Sequence, residues 1–144
     1  MRKRRPANLF YHIGKLENIL INQRLSSINL RMSHARVLRY IQKHPGCIQK
    51  EVADYLFYQP ASFTNVVKML EKKQMIKRKT NPNNGLQKQL FLLPAGKDVL
   101  KQVNSAFEEV NELVSNVNTD TLLELEAISA NLEKQVQNIK NKTI

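Results

Sequence analysis

The sequence predicts a mainly helical fold that is interrupted by one two-stranded β hairpin. Apolar residues recur three or four positions apart, the spacing of one helix face, over most of the 144 residues. The chain has only 4 Gly and 5 Pro and no Trp, a composition that suits helices. One segment departs from this pattern: residues 77–93 are basic and contain an Asn-Gly pair, which is typical of a tight hairpin turn.

Four helices are predicted before the hairpin. The first carries Leu9, Ile13 and Leu16 on one face, and further apolar residues widen that stripe beyond what one packing partner needs. Pro60 opens the fourth, because proline is tolerated in the first turn of a helix. The predicted ranges are 7–30, 32–44, about 49–57 and about 60–73.

The hairpin and two C-terminal helices complete the predicted order. Strands are expected at about 75–80 and 87–92, with Asn84-Gly85 supplying the positive φ of the turn. A helix over 95–117 and a last helix from Thr119 or Asp120 follow. Their apolar positions keep heptad-like spacing, so we expect two copies of the chain to bury these stripes together with the first helix. The stripe positions are Leu100, Val103, Phe107, Val110, Val114 and Val117, then Leu122, Leu125, Ile128, Leu132, Val136 and Ile139.

The net charge of +11 is unevenly distributed. Residues 1–93 contain 18 Lys/Arg and 4 Asp/Glu, a net of +14, whereas residues 94–144 contain 5 and 8, a net of −3. A cationic part of this size favours a polyanionic partner, most often nucleic acid. The basic residues 2–5 form either a DNA-reaching arm or a solvated terminus.

The sequence excludes several other classes. No apolar run is long enough for a membrane span, and no apolar segment of a secretory signal follows the basic N-terminus. The single cysteine, Cys47, indicates a reducing cytoplasm, with a location on the nucleoid expected for a DNA-binding protein. There is no phosphate loop, nucleophile motif or metal-ligand spacing, so no enzyme, cofactor or metal is expected.

Short helices joined by a tight turn and followed by a hairpin make a winged helix-turn-helix. The helix from Pro60 has a width that fits the major groove of DNA, and its outward side chains are short and polar. Lysines behind that helix and in the hairpin would contact phosphates. The predicted DNA-binding residues are Gln59, Ser62, Thr64, Asn65, Lys68, Lys72, Arg78, Lys79 and Lys88.

Residues 49–97 resemble the core of the MarR-type transcriptional regulators. The resemblance is carried by Glu51-Val52-Ala53, Ser62-Phe63-Thr64-Asn65, Leu70-Glu71, Met75-Ile76, Asn84-Gly85 and Leu92-Leu93-Pro94-Ala95-Gly96. It implies a dimer that binds an inverted repeat, and an effector pocket for which we name Tyr11, His12 and Tyr40. Three positions depart from the family pattern: the wing reads Asn84-Gly85-Leu86 without its Arg, Asn65 replaces an Arg, and Gln74 replaces a Gly.

The resulting prediction is a homodimeric, ligand-responsive repressor with partners in double-stranded DNA and a small aromatic effector. Residues 1–30 would form an arm and dimerisation helix, 31–93 the winged helix-turn-helix, and 94–144 the C-terminal dimerisation helices. Two alternatives stay open. One is a non-specific or architectural DNA-binding protein, and the other is an interaction module that antagonises another regulator.

Overall fold

The computed structural model describes residues 5–143 and confirms the predicted fold class. Residues 1–4, and with them most of the predicted basic arm, lie outside the described residues. Within residues 5–143, six α helices and three strands follow in the order α1, α2, β1, α3, α4, β2, β3, α5, α6. Their bounds are α1 Pro6–Leu25, α2 Met32–Lys43, β1 Cys47–Ile48, α3 Gln49–Tyr55, α4 Pro60–Lys72, β2 Ile76–Asn81, β3 Asn84–Leu92, α5 Pro94–Leu113 and α6 Thr119–Lys142.

The first helix is shorter than predicted, because α1 ends at Leu25 rather than near residue 30. A single 3-10 turn, Ser26–Ile28, follows, and Asn29 then adopts a left-handed conformation with φ 54°. The N–H of Leu30 donates to the carbonyl of Leu25 at 3.3 Å, which closes the helix end. Leu25 and Leu30 are both buried, so buried apolar positions continue past the end of α1 through a short non-helical connection.

The strands form one antiparallel sheet with the order β1-β3-β2. The sequence predicted β2 and β3, but β1 was missed. It contains two residues, too few to show an alternating pattern, and it pairs Cys47 with Leu90. Gly46, at φ 78°, turns the chain from α2 into this strand, and its N–H donates to the carbonyl of Leu90.

The chain divides into two compact units, one ending at Val110 and one starting at Asn111. The first unit holds the hydrophobic core, to which α1, α2, α3, α4, the sheet and α5 all contribute. Its largest fully buried side chains include Phe63, Leu38 and Leu90. Gly96 packs so closely that a Cβ there would lie 2.1 Å from the carbonyl oxygen of Met75, so α5 approaches the start of the wing through a position that only glycine fits.

The helix predicted over 95–117 ends early, at Leu113. Val114 and Val117 lie beyond it and are exposed, whereas the earlier stripe positions of α5 are buried in the first unit. Asn118 caps the next helix, since its side-chain oxygen accepts the N–H of Thr121 at 2.8 Å.

Two helices keep apolar stripes exposed. The outer face of α1 exposes Leu9, Ile13 and Leu16, and α6 has no buried residue among those described. Its Leu122, Leu125, Ile128, Leu132, Val136 and Ile139 are all at least 36% exposed. Among residues 5–143, no helix is long and apolar enough to cross a membrane.

Candidate nucleic-acid interface

Helix α4 is the element predicted to read DNA, and its inner face fixes it in the first unit. Phe63, Val67 and Leu70 are buried with at most 1% exposure. The turn before α4 is held by Tyr58, whose hydroxyl donates to the carbonyl of Ser33 on α2 at 2.9 Å. Pro60 occupies the first turn, as predicted, and Gln59 precedes it in extended conformation without a side-chain capping bond.

The outer face of α4 carries most of the predicted contact residues. Gln59, Ser62, Asn65, Lys68 and Lys72 are all exposed. Ala61 is also exposed, and its spacing to Asn65, Lys68 and Lys72 puts these four on one stripe opposite the buried face. Residue-type reasoning missed Ala61 because alanine has no polar group, although a methyl can contact the methyl of thymine. Helical spacing alone could have found it.

Thr64 differs from the other predicted residues of α4. It is half-buried, and its hydroxyl donates to the carbonyl of Pro60 at 2.9 Å. The proton of that hydroxyl is therefore used within the helix. Only its acceptor lone pairs remain available to a partner.

Two hydrogen bonds fix the C-terminal end of α4. The ammonium of Lys73 donates to the carbonyl of Asn29 at 2.8 Å. Gln74 adopts φ 56°, and the N–H of Met75 then donates back to the carbonyl of Leu70 at 3.0 Å. This is a left-handed helix end of the kind that glycine favours, which explains the glycine expected at Gln74.

The register of the wing places its cations on two opposite faces. Arg78 pairs with Leu90 and Thr80 pairs with Lys88, so Arg78 and Lys88 share the face that also carries buried Ile76. Lys77 pairs with Phe91 and Lys79 with Gln89 on the other face. The three predicted wing cations, Arg78, Lys79 and Lys88, therefore do not form one group.

Each wing cation has a described neighbour. The guanidinium of Arg78 lies 2.8 Å from the carboxylate of Glu71, joining the wing to α4. The ammonium of Lys88 donates to the hydroxyl of Thr80 at 2.9 Å. The ammonium of Lys79 lies 5.4 Å from the centre of the Phe91 ring, and its charge lowers the pKa of Lys77.

The prediction that Asn84-Gly85 forms the hairpin turn was wrong. The turn lies at residues 82–83, and β3 already begins at Asn84, which pairs with Asn81. Pro82 presets the turn, and the side-chain oxygen of Asn81 accepts the N–H of Asn83 at 3.1 Å. A proline and an Asn side chain stabilise the turn here, and Gly85 is not among the described glycines with positive φ.

Cys47 lies in β1 and is buried. Burial, followed by the nearby carboxylate of Glu51, raises the pKa of its thiol to about 11. A thiol with this pKa is almost wholly protonated at neutral pH and is a poor nucleophile. The buried position of Cys47 therefore favours a structural role for this residue over a redox role.

The residues named for an effector pocket lie in different surroundings. Tyr11 and His12 are exposed on α1, and the ammonium of Lys15 lies 5.5 Å from the Tyr11 ring. The ring of Tyr40 packs at a tilt against those of His44 and Tyr55, at centroid distances of 4.6 and 5.0 Å. A cavity of about 550 Å³ is lined by none of the three. Its lining is Asn22, Ser26, Asn29, Leu30, Arg31, His34, Met69 and Lys73.

Comparisons with known proteins match this architecture. A family model described as the MarR family matches residues 28–85, which run from the 3-10 turn after α1 to the tip of the wing. The structure of S. aureus MepR in complex with DNA is 24% identical, with a TM-score of 0.78, and covers 94% of this chain and 99% of that one.

Two further structures are similar. The transcriptional regulator SlyA is 17% identical, with a TM-score of 0.82, covering 94% of this chain and 96% of the other. A mutant of MarR from E. coli in complex with operator DNA is 20% identical, with a TM-score of 0.76, covering 88% and 91%. At these identities the structural likeness establishes the fold.

Proposed function

We propose that this chain is a DNA-binding transcriptional regulator of the MarR family, and that it is a homodimeric repressor that reads an inverted-repeat operator. The observation that carries the proposal is the outer face of α4, where Ala61, Asn65, Lys68 and Lys72 form one exposed stripe backed by a fixed core. Two such helices would enter successive major grooves, with half-sites about 10 bp apart. We infer a cytoplasmic location, on the nucleoid.

The side chains of this surface would make two kinds of contact, with bases and with phosphates. Asn65 and Gln59 have amides that can pair with adenine, and Ser62 has a hydroxyl that suits bases or phosphates. Lys68 and Lys72 would contact phosphates and add affinity with little sequence information. Lys88 would do the same from the wing, whereas Arg78 would hold the wing against α4 through Glu71.

The proposed dimer rests on exposed apolar surface. Stripes on α1 and on α6 are left open in the single chain, and exposed patches of this kind mark interaction sites. A ligand would control DNA binding only by its different affinity for two dimer geometries. Tyr11, His12 and Tyr40 stay candidates for a small aromatic effector.

One observation favours a second candidate, a non-specific or architectural DNA-binding protein. The wing tip carries Asn81, Pro82, Asn83, Asn84, Gly85 and Leu86 and therefore has no cation at these positions. A wing without a cation at its tip cannot insert one into the minor groove, where narrow A·T-rich segments attract such groups. Sequence preference would then depend on α4 alone.

The test is DNA binding by two matched variants of α4. Lys72→Ala should weaken binding to all duplexes alike and reduce the salt slope by about one. Asn65→Ala should weaken binding to the preferred duplex by about 1–3 kcal/mol and leave binding to unrelated duplexes unchanged. Fluorescence anisotropy over a salt series measures both effects. If Asn65→Ala changes binding to all duplexes equally, α4 does not read sequence.

A further inference from the structure

The tip of the wing contains a residue pair with its own covalent chemistry. Asn84 is the one asparagine of the chain that is followed by glycine. Glycine has no side chain to shield its backbone nitrogen, so that nitrogen can reach the side-chain amide carbon of the preceding residue. The neighbouring Asn81 is followed by Pro82, whose nitrogen carries no hydrogen.

The structure leaves this pair unhindered. The strand register shifts after Thr80: Thr80 pairs with Lys88, but the next residue, Asn81, pairs with Asn84. Residues 85–87 are therefore outside the regular ladder, and the side chain of Leu86 is 95% exposed. Apart from Gly85 and its two chain neighbours, none of the described residues has a heavy atom within 4 Å of where a Cβ of Gly85 would be.

The side chain of Asn84 is also hydrogen-bonded to the backbone that follows it. Its Oδ1 accepts the N–H of Leu86 at 3.1 Å. This bond withdraws electron density from the side-chain amide carbon, Cγ. An amide whose oxygen accepts such a bond has a carbon that is more open to attack by a nucleophile.

We propose that Asn84 is a site of spontaneous deamidation. The backbone nitrogen of Gly85 attacks Cγ of Asn84 and loses its proton, and the new N–C bond closes a succinimide ring. The bond from Cγ to the side-chain nitrogen breaks, and ammonia leaves. Water then opens the ring at either carbonyl and yields Asp or isoaspartate at residue 84, with no change of oxidation state.

The consequence for DNA binding rests on the proposed function. Each product puts a negative charge on a wing tip that would lie beside phosphates, which weakens binding by roughly fivefold if the charges approach as closely as a contact pair in water. The Asp product keeps an oxygen that can accept the N–H of Leu86. Its effect is therefore one of charge. The isoaspartate product also adds a methylene to the backbone and displaces residues 85–87.

Peptide mapping by mass spectrometry tests the modification without reference to DNA. The purified full-length chain is held at physiological pH and temperature and sampled over time. The deamidated mass should accumulate first in the peptide that contains Asn84. Gly85→Ala is the matched control, because a Cβ has open space there, and it should slow the reaction strongly. Equal rates in the two proteins would overturn the proposal, as would an Asn84 that is no faster than the other asparagines.

The Asn84→Asp variant tests the consequence separately. It should bind duplex DNA roughly fivefold more weakly than the unmodified chain at low salt, and this difference should shrink as salt screens the charge. Equal affinity would overturn the effect on DNA while leaving the mapped modification in place. Failure of both proteins to bind any duplex would instead contradict the proposed function.

Discussion

Gln74 holds a backbone conformation that glycine holds at lower cost. At φ 56° its Cβ crowds the backbone, which costs about 1–2 kcal/mol for an ordinary residue, and part of this is offset by the extra freedom of glycine in the unfolded chain. We therefore expect Gln74→Gly to raise the free energy of unfolding by about 1 kcal/mol, measured by urea denaturation at fixed chain concentration. Lys72→Gly, within α4, should lower it by about the same amount. A lower free energy of unfolding for Gln74→Gly would contradict this, because it would mean that contacts of the Gln side chain stabilise the fold by more than the strained backbone destabilises it.

His34 makes stability depend on pH. Burial, and then the charges of Lys73 and Arg31, lower its pKa below 6.5, and its neutral Nδ1 accepts the N–H of Arg31 at 3.3 Å. The folded chain therefore binds fewer protons than the unfolded chain in this range. The contribution of His34 to the free energy of unfolding is therefore complete above pH 6.5. It is lost as the pH falls from 6.5 through the lower pKa of the folded chain.

The pH dependence is tested by comparing urea midpoints at about pH 7.5 and about pH 5.5. The unmodified chain should lose more stability on acidification than His34→Asn, whose side-chain oxygen can still accept a backbone N–H. His12→Asn, at an exposed position of α1, is the matched control and should follow the unmodified chain. Equal losses for the unmodified chain and His34→Asn would rule out His34 as the source.

At the scale of elements, the wing separates cations that a linear reading of the sequence groups together. Lys88 shares a face with Arg78, the residue that contacts α4, whereas Lys79 lies on the opposite face beside Phe91. We expect Lys88→Ala to reduce the salt slope of DNA binding by about one and Lys79→Ala to reduce it less. A larger effect of Lys79→Ala would mean that the opposite face of the wing meets the DNA.

Sequence periodicity predicted the helices well and their ends poorly, for identifiable reasons. Apolar positions continue past the end of α1, because Leu25 and Leu30 are both buried on either side of the 3-10 turn and the left-handed Asn29. Strand β1 was out of reach, since two residues show no alternation.

The candidate site, too, could be predicted only in part from the sequence. Exposed polar residues of α4 could be predicted from composition and helical spacing. Three features could not, because they depend on tertiary contacts or strand register: the half-buried position of Thr64, the ion pair between Arg78 and Glu71, and the separation of Lys79 from Lys88. The predicted turn was misplaced because Asn-Gly is the stronger hairpin pattern in the sequence. In the structure, the turn is instead formed by Pro82 and stabilised by the side chain of Asn81.

At the scale of the whole molecule, the exposed stripe on α6 leads to a prediction about assembly. Ile128 is 40% exposed in the single chain, and a charge there would have to be buried without a partner in a dimer. Ile128→Glu should therefore shift the protein to a monomer in sedimentation experiments and weaken DNA binding. Gln137→Glu adds the same side chain on the opposite face of α6 and should leave the dimer intact. A monomeric starting protein would contradict the proposed assembly.

The central claim is that two copies of α4 read one inverted repeat. Selection from a pool of random duplex DNA with the purified protein, at fixed and roughly physiological salt, tests this most directly, since phosphate-driven affinity changes steeply with salt. We predict enrichment of an inverted repeat with half-sites about 10 bp apart. Retention of DNA without an enriched motif would contradict sequence reading and favour the architectural function. No retention at any salt concentration would contradict DNA binding itself.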